Sequence, residues 1–531
     1  MDTTRRDLLG GAAAVAAMAT LASTLPGPAF AQSNAGDFDI DAAFAAFMRD
    51  IGGTPADGGG KVTFTGRDPI LRSRFRIGTC MALPAMAAAV GVAAIWQMRT
   101  GEGQDIEVDL RESIYNVMPL IALILQKKHA AGRFDLDDPI PGTFSFVPSL
   151  NGLLFQAPLL LDNPMSFAIF ETKDGRFATP TGLYPHHYHG VLNVLGASPS
   201  EESITAAIKT WNAADLDDEI ADAGLVMGIH RTTEEWAEHP EGKRLAGTPL
   251  IEIVKVADGD PIPFDPDPVA PLSGVKALSL THVIAGSTAA RTLAEYGADV
   301  LHIARDQSFE HEIIWCDVNV GMRSSFVNLR RPEQNLAFRT DLLPEADVFI
   351  EGFRGRSMEN LGFGVEEVAA SHPGIVYLSM RCYSWDGPWW YRGGFDMEAL
   401  TVSGFTLLEG EGRPSWPPTM VLNDYIAGYL GAAGIIAALR RRATEGGSYH
   451  VRVSLTRAAM WYQSLGMVDR MGFDPTAPEH RMIEPRTIEG ATPYGDLRRL
   501  APQAKLSKTP GGWTNPLLRV RGADRPVWAA S

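Results

Sequence analysis

Cysteine is nearly absent. The 531 residues hold three, Cys80, Cys316 and Cys382, too few and too scattered for a disulfide framework or a zinc site, so each reads as a small buried hydrophobe. Basic charge is also in deficit: 47 Lys and Arg stand against 63 Asp and Glu, a formal net charge of -16. A general nucleic-acid binder needs a basic footprint, so that class is excluded, while a local basic pocket for a phosphorylated ligand is not. Beyond the N-terminus, no apolar run reads as a membrane span. What is there is ordinary for a globular protein, 45% apolar and 21% charged, in a chain long enough for more than one domain.

The N-terminus stands apart. Thr4-Arg5-Arg6-Asp7-Leu8-Leu9 precedes an Ala-rich apolar run that ends at Pro28-Ala29-Phe30-Ala31, an A-x-A pattern before Gln32. This predicts a twin-arginine export signal over 1–31 and a periplasmic mature chain. Cleavage would remove two basic and two acidic residues, leaving the net charge at -16.

Residues 32–257 form the first region. Ile40 to Met48 has a short helical pattern, and Gly78 to Met98 is almost free of polar residues. The latter predicts a buried helix pair or one long core helix, broken near Pro84. Asp105 to Leu110 alternates like a half-buried strand, and Asp174-Gly175 marks a hairpin tip. Helical patterns run on through Trp236, and Leu250 to Val256 reads as a strand. Asp258 to Pro271 then carries five prolines in fourteen residues, which predicts a stiff linker over 258–270.

The texture changes in 271–470. Val275–Leu280, Val300–Ile303, Val348–Glu351 and Ile375–Met380 are compact apolar strands, with a helix over Ser287–Tyr296. Alternating strands and helices predict an α/β fold with a Rossmann-like open parallel sheet, beside a smaller α+β domain. Ligands of such sheets sit beyond the carboxyl ends of the strands, here the Thr281–Gly286 and Glu351–Gly355 loops. Residues 471–531 are a C-terminal extension. There is also an internal echo: Gly91 to Leu110 is mirrored by Gly434 to Leu455, two residues longer, each an apolar helix, a Gly-rich turn and a strand. Matching Gly, Ala-Ala, Thr and final Leu favour duplication.

Pro271-Leu272-Ser273-Gly274-Val275, Thr281-His282-Val283-Ile284-Ala285-Gly286, Gly297-Ala298-Asp299-Val300, Ala346-Asp347-Val348-Phe349-Ile350-Glu351-Gly352-Phe353-Arg354, Gly394-Phe395-Asp396 and Asp424-Tyr425-Ile426-Ala427-Gly428 follow one another in order. Together they resemble the class III CoA-transferases, a family that includes α-methylacyl-CoA racemase. Residues 75–256 resemble the second half of the same family, so the order is rearranged and tandem. The resemblance implies CoA as a substrate, no permanently bound cofactor, an acyl-CoA and a carboxylic acid as partners, and a homodimer.

By that resemblance Asp424 is the nucleophile that forms aspartyl anhydride and thioester intermediates, and the dipole of the helix it opens should keep it ionised. Asp396 is an orienting carboxylate. His282, Val283, Ile284 and Ala285 match the loop that holds CoA, Arg305 matches a phosphate-binding arginine, and Phe353 and Arg354 flank the ligand. Pro69 to Gly101 has no Asp or Glu, so the first copy has no equivalent nucleophile. Phe395 stands where the racemases carry a histidine, and a phenyl ring moves no proton, which disfavours racemisation. Ala304, Gly352 and Val320-Gly321-Met322 replace polar residues of the family, which motivates a third reading, a non-catalytic CoA- or acyl-binding protein. His186, His187 and His189 in one predicted loop lack a second ligand cluster, so no metal is assigned. Trp385, Trp389 and Trp390 fit an acyl pocket or plain packing. CoA is cytoplasmic, which makes the cytoplasm the alternative location.

Overall fold

A computed structural model of the chain describes residues 38–117, 149–151, 153–154, 163–419 and 421–529; the proposed export signal, 1–31, lies outside them. Six short strands make the centre: β1 (Lys276–Leu280), β2 (Asp299–Ala304), β3 (Arg323–Phe326), β4 (Val348–Glu351), β5 (Val376–Arg381) and β6 (Ser448–Ser454). Runs such as Val-Phe-Ile-Glu are buried along their whole length, as expected of strands covered on both faces. All six are parallel and lie in the order β3-β2-β1-β4-β5-β6. This is the Rossmann order, and it reverses between β1 and β4. The predicted strand at Leu250–Val256 is observed as Glu252–Ala257, paired antiparallel to β6 at the sheet edge. The proline-rich segment 258–270, without regular structure, therefore joins two strands of one sheet.

Three helices carry most of the packing: α1 (Ile77–Thr100), α2 (Ala285–Glu295) and α3 (Asn423–Glu445). The break expected at Pro84 does not occur; α1 runs through it as one helix. A proline in a helix interior costs about 3 kcal/mol. Each fully buried Leu, Ile, Val or Met returns about 1.5–3 kcal/mol, and Met81, Leu83, Met86, Val90, Val92 and Ile95 are all buried. The sequence expectation that nothing beyond the N-terminus reaches membrane-spanning length also needs correction. By length and composition α1 could span a bilayer, yet its apolar window is wholly enclosed by protein, much of it by α3.

α3 approaches α2 and the sheet through glycines. A Cβ on Gly428 would lie 2.5 Å from Thr288 Cβ and 2.8 Å from the Ala285 carbonyl oxygen. Gly428→Ala should therefore lower stability by about 1–3 kcal/mol, overpacking outweighing the better helix propensity of alanine. The denaturation midpoint of the variant checks this; a gain in stability would contradict the close helix crossing.

The smaller α+β unit is built on the expected hairpin. Phe170–Glu171 pairs with Phe177–Pro180, which pairs with Met227–Ile229, a strand hidden in a stretch that reads as helical. Gly175 at the hairpin tip has φ +74°, a conformation glycine adopts without a Cβ clash. Helices Pro185–Leu195, Glu201–Ile208 and Ala213–Asp222 cover this sheet. The unit is tied to residues 396–416: Trp416 Nε1 donates to the Phe167 carbonyl at 2.8 Å, and Arg231 N to the Thr401 carbonyl at 3.1 Å. The C-terminal extension straps the whole. Lys505–Leu506 joins the strand Gln104–Asp109, and Ala523 bridges Ser325 on edge strand β3, which shields that edge from other chains.

Candidate active site

The reversal between β1 and β4 opens a crevice where their following loops diverge. A cavity of about 510 Å³ occupies it. His282, Val283 and Ala285 after β1, Arg305 after β2, and Gly352, Phe353 and Arg354 after β4 line one side. The smaller unit supplies the other wall with Tyr184, His186, His187 and Val226. Asp424 lies at the inner end, where a second, smaller chamber of about 40 Å³ begins.

Asp424 sits in the first turn of α3 and is 6% exposed. Among the described residues no hydrogen bond reaches its carboxylate. Asp396 stands behind it in a different role. One oxygen, Oδ2, accepts from the backbone N–H of Leu422, Asn423 and Asp424 at 3.1, 2.6 and 3.0 Å. Asp396 thus gathers the amide groups at the start of α3 and sets the turn that presents Asp424. Burial raises its pKa to about 7 against the pull of those three N–H groups. Burial, then the charges of Asp396 and Glu398, push Asp424 well above the ordinary carboxylate range. The expected ionisation of Asp424 by the helix dipole is therefore corrected. A dipole contributes about 0.3–1 kcal/mol, less than one pKa unit at about 1.4 kcal/mol. With three N–H donors against none, Asp396 is the member of the pair that takes the negative charge first.

Of the residues matched to the CoA loop, His282, Val283, Ala285, Arg305, Phe353 and Arg354 all face the large cavity. Ile284 does not; it lines the inner chamber. Val283 holds φ +51°, a strained value for a β-branched residue, of the kind that persists where a loop is tightly specified. His282 Nδ1 is 3.1 Å from Glu310 Oε2, and its ring meets Phe353 edge-on at 5.7 Å. Arg305 and Arg354 form no ion pair among the described residues, leaving two guanidinium groups open to an anion. Arg392, also in the wall, is held by Asp217 at 2.8 Å. The first turn of α2 adds Ala285 and Gly286, a helix N-terminus that favours phosphate.

Other expectations change. Tyr-Pro-His-His is not a loop but opens the helix Pro185–Leu195, with proline in the first turn, where its missing N–H costs nothing. The rings of His186 and His187 lie 4.1 Å apart, tilted to each other, in the cavity wall, and no group of three or more His, Cys, Asp or Glu among the described residues is placed to hold a metal. Trp389 packs with Trp236, His239 and Tyr383, while Trp385 lies between Arg381 and Arg452; none of the three tryptophans lines the cavity. Gly321 N donates to the Leu517 carbonyl at 2.8 Å, and a Cβ there would strike Trp513. The C-terminal extension thus covers Val320-Gly321-Met322, which accounts for the apolar residues. A Cβ on Gly352 would meet nothing within 4 Å, so no contact explains that glycine.

The internal echo is structural as well. α1 and α3 end at glycines of positive φ, Gly101 and Gly446. Each is followed by a strand and then a helix opening at Leu110 or Leu455. Asp68 caps α1 as Asp396 caps α3, accepting from Gly78 N at 3.1 Å and Thr79 N at 2.7 Å. Counted back from the closing glycines, Thr79 occupies the place of Asp424. The first copy keeps the orienting aspartate and has threonine in place of the other.

Residues 272–494 match the sequence model of CoA-transferase family III. An acetyl-coenzyme A transferase, nodX, of Hypoxylon pulicicidum is 30% identical over 338 residues, covering 57% of this chain and 55% of the relative. The alpha subunit of succinyl-CoA–L-malate CoA-transferase from Chloroflexus aurantiacus is 30% identical over 242 residues, 43% of this chain and 54% of that one. The crystal structure of a CAIB/BAIF family protein from Brucella suis aligns at 26% identity and TM-score 0.34, over 36% of this chain and 55% of that one. The chain spans about half the length of the curated relatives it matches. The 272–494 match is carried on a sheet of Rossmann order with an aspartate at the end of its crevice, and this region is what the chain shares with CoA-transferase family III.

Proposed function

We propose that the protein transfers CoA between an acyl-CoA and a carboxylic acid, with Asp424 as the covalent carrier. The observation that carries this is the position of Asp424, between a large cavity with two open guanidinium groups and a small apolar chamber. CoA would lie in the former, its phosphates toward Arg305, Arg354 and the N-terminus of α2. The Asp424 carboxylate attacks the thioester carbonyl and releases CoA thiolate, leaving a mixed anhydride. The thiolate then attacks the aspartyl carbonyl, releases the donor acid and forms an aspartyl-CoA thioester. The acceptor carboxylate reverses the sequence, so the energy of the thioester is conserved. Phe395, in the cavity wall and stacked on Tyr184 at 5.7 Å, supports transfer over racemisation, because a phenyl ring exchanges no proton. CoA enters as a substrate, and the homodimer and either location, periplasm or cytoplasm, belong to the same proposal.

The test is exchange. Purified protein is incubated with acyl-CoA and the matching free acid carrying 13C, and label is followed into the thioester. Label should enter, and the peptide containing Asp424 should gain the mass of CoA less one water. CoA binding without exchange for any acid would leave a binding protein instead. Deuterium entering the α-carbon from heavy water would restore the racemase.

A further inference from the structure

His282 opens the loop after β1 and lines the large cavity beside Arg305, Ser308 and the first turn of α2. Its two ring nitrogens have different surroundings. Nδ1 lies 3.1 Å from Glu310 Oε2. The Glu310 side chain is 5% exposed, and its other oxygen, Oε1, accepts from the backbone N–H of His311 at 3.1 Å. Burial opposes the charge of Glu310, but the bonds from His282 and His311 outweigh it and hold the carboxyl below its ordinary range. An ionised carboxylate only accepts, so His282 Nδ1 carries the proton of their bond. The His282 side chain is 32% exposed. With its Nδ1 edge against a buried group, the open part of the ring is the opposite edge, which bears Nε2. Among the described residues no hydrogen bond reaches Nε2.

A neutral imidazole has one N–H, and here Glu310 holds it. Nε2 then offers a lone pair, which repels a phosphate oxygen. A second proton turns Nε2 into a charged donor, with the carboxylate at the opposite edge offsetting the charge. Burying a carboxylate is costly unless it is paired. Among the described residues Glu310 has no lysine or arginine as its partner, only this residue of the ligand loop. The groups around His282 leave the role to it. His302, on β2, is fully buried; burial, then the charge of His282, lower its pKa to about 3, so it stays neutral. Arg521, from the C-terminal extension, is bonded to the Ser308 carbonyl and to Glu312. From the β4 loop the uncharged ring of Phe353 meets His282 at 5.7 Å. Arg305 and Arg354 stand in the same cavity wall.

Resting on the CoA-transfer reading, we propose that Glu310 is a positioning residue for CoA, fixing His282 so that Nε2 binds a phosphate group of CoA with uptake of a proton from solvent. No covalent bond changes besides the new N–H. Affinity for CoA therefore falls as pH rises through the range in which histidines titrate, about pH 5 to 8. Below that range the imidazolium is already formed; above it, binding must supply the proton.

Calorimetric titration of the full chain with CoA near pH 8, once in HEPES and once in Tris, counts the protons taken up, because the two buffers differ in ionisation enthalpy. The phosphates of CoA are themselves ionised there, with a second pKa of about 6. Wild type should take up roughly half a proton or more beyond what His282→Gln does. The nucleotide 3′-phospho-ADP, which has the phosphates of CoA and no thiol, should give the same difference. Dephospho-CoA then separates the positions: a difference retained there assigns the contact to the diphosphate, and one lost there to the 3′-phosphate. Glu310→Gln keeps an acceptor for Nδ1 but removes the charge. Its loss of affinity should move to lower pH, and near pH 7 it should bind CoA about tenfold more weakly than wild type. Equal proton counts in wild type and His282→Gln, with CoA bound, would overturn this inference and leave the transferase reading standing. A difference seen with CoA but absent with 3′-phospho-ADP would also overturn it, since the thiol would then be the partner. A Glu310→Gln profile coincident with wild type would remove the role of Glu310. Should melting curves show that a variant does not fold, the wild-type count with 3′-phospho-ADP decides, and no uptake overturns the inference. No binding of CoA at all would remove the transferase reading as well.

Discussion

Asp424→Asn should lower kcat for CoA transfer by about a thousandfold or more, at least about 4 kcal/mol of barrier. The amide keeps the shape of the side chain but cannot attack a thioester to give an anhydride. Arg305, Arg354 and the loop 281–286 are untouched, so KM for acyl-CoA should change little. Stability should hold or rise, because the substitution removes a buried carboxylate whose ionisation is opposed by burial and by Asp396. In the wild type the nucleophile must be ionised. Burial and the neighbouring Asp396 hold its pKa well above the ordinary aspartate range, so the acid limb of the kcat/KM profile should lie well above that range too, with activity rising as pH rises through it. Transfer surviving in the variant, or an acid limb at the ordinary carboxylate pKa, would show that Asp424 is not the carrier.

Asp396→Ala should have the second-largest effect, on both stability and rate. It strands the N–H groups of Leu422, Asn423 and Asp424. Each buried unsatisfied donor costs about 1–3 kcal/mol, and the three are not additive, so a loss of about 3 kcal/mol or more is expected in chemical denaturation. The turn would shift Asp424, and a displacement near 1 Å is enough for about a hundredfold in kcat. Asp396→Asn separates positioning from charge. It keeps one acceptor but removes the negative neighbour that raises the pKa of Asp424, so the acid limb should move to lower pH. An unmoved limb would mean that the two carboxylates do not sense each other. Asp396 is in this account a positioning residue, with its free oxygen, Oδ1, buried and unpartnered.

Much of the site is legible in short motifs. The 281–286 loop, Arg305, Phe353, Arg354, Asp396 and Asp424 each sit at the end of a strand or the start of a helix, where local sequence dictates local backbone. The alternation of apolar strands and helices likewise indicates a Rossmann sheet, because a strand buried on both faces must be apolar throughout. Tyr184 and His187 were another matter. The Tyr-Pro-His-His motif stands out, but nothing in its neighbourhood says that it closes a cavity opened by residues far along the chain. His311, in the Gln-Ser-Phe-Glu-His stretch, carries no local signal at all.

Pro84 marks the same limit from the other side. Its local preference is to break a helix, and the burial of the residues around it, supplied mostly by α3, overrides that preference. Dipole reasoning about Asp424 fails for a similar cause, since the charge of Asp396 and the depth of burial come from tertiary packing. By itself the sequence determined a parallel α/β sheet, and its resemblance to a known family added the candidate nucleophile, its lack in the first copy and the loop matched to CoA. Only the tertiary structure decided which half of the chain closes the crevice and which aspartate bears the charge. Those depend on distances between residues remote in sequence, which no local pattern encodes.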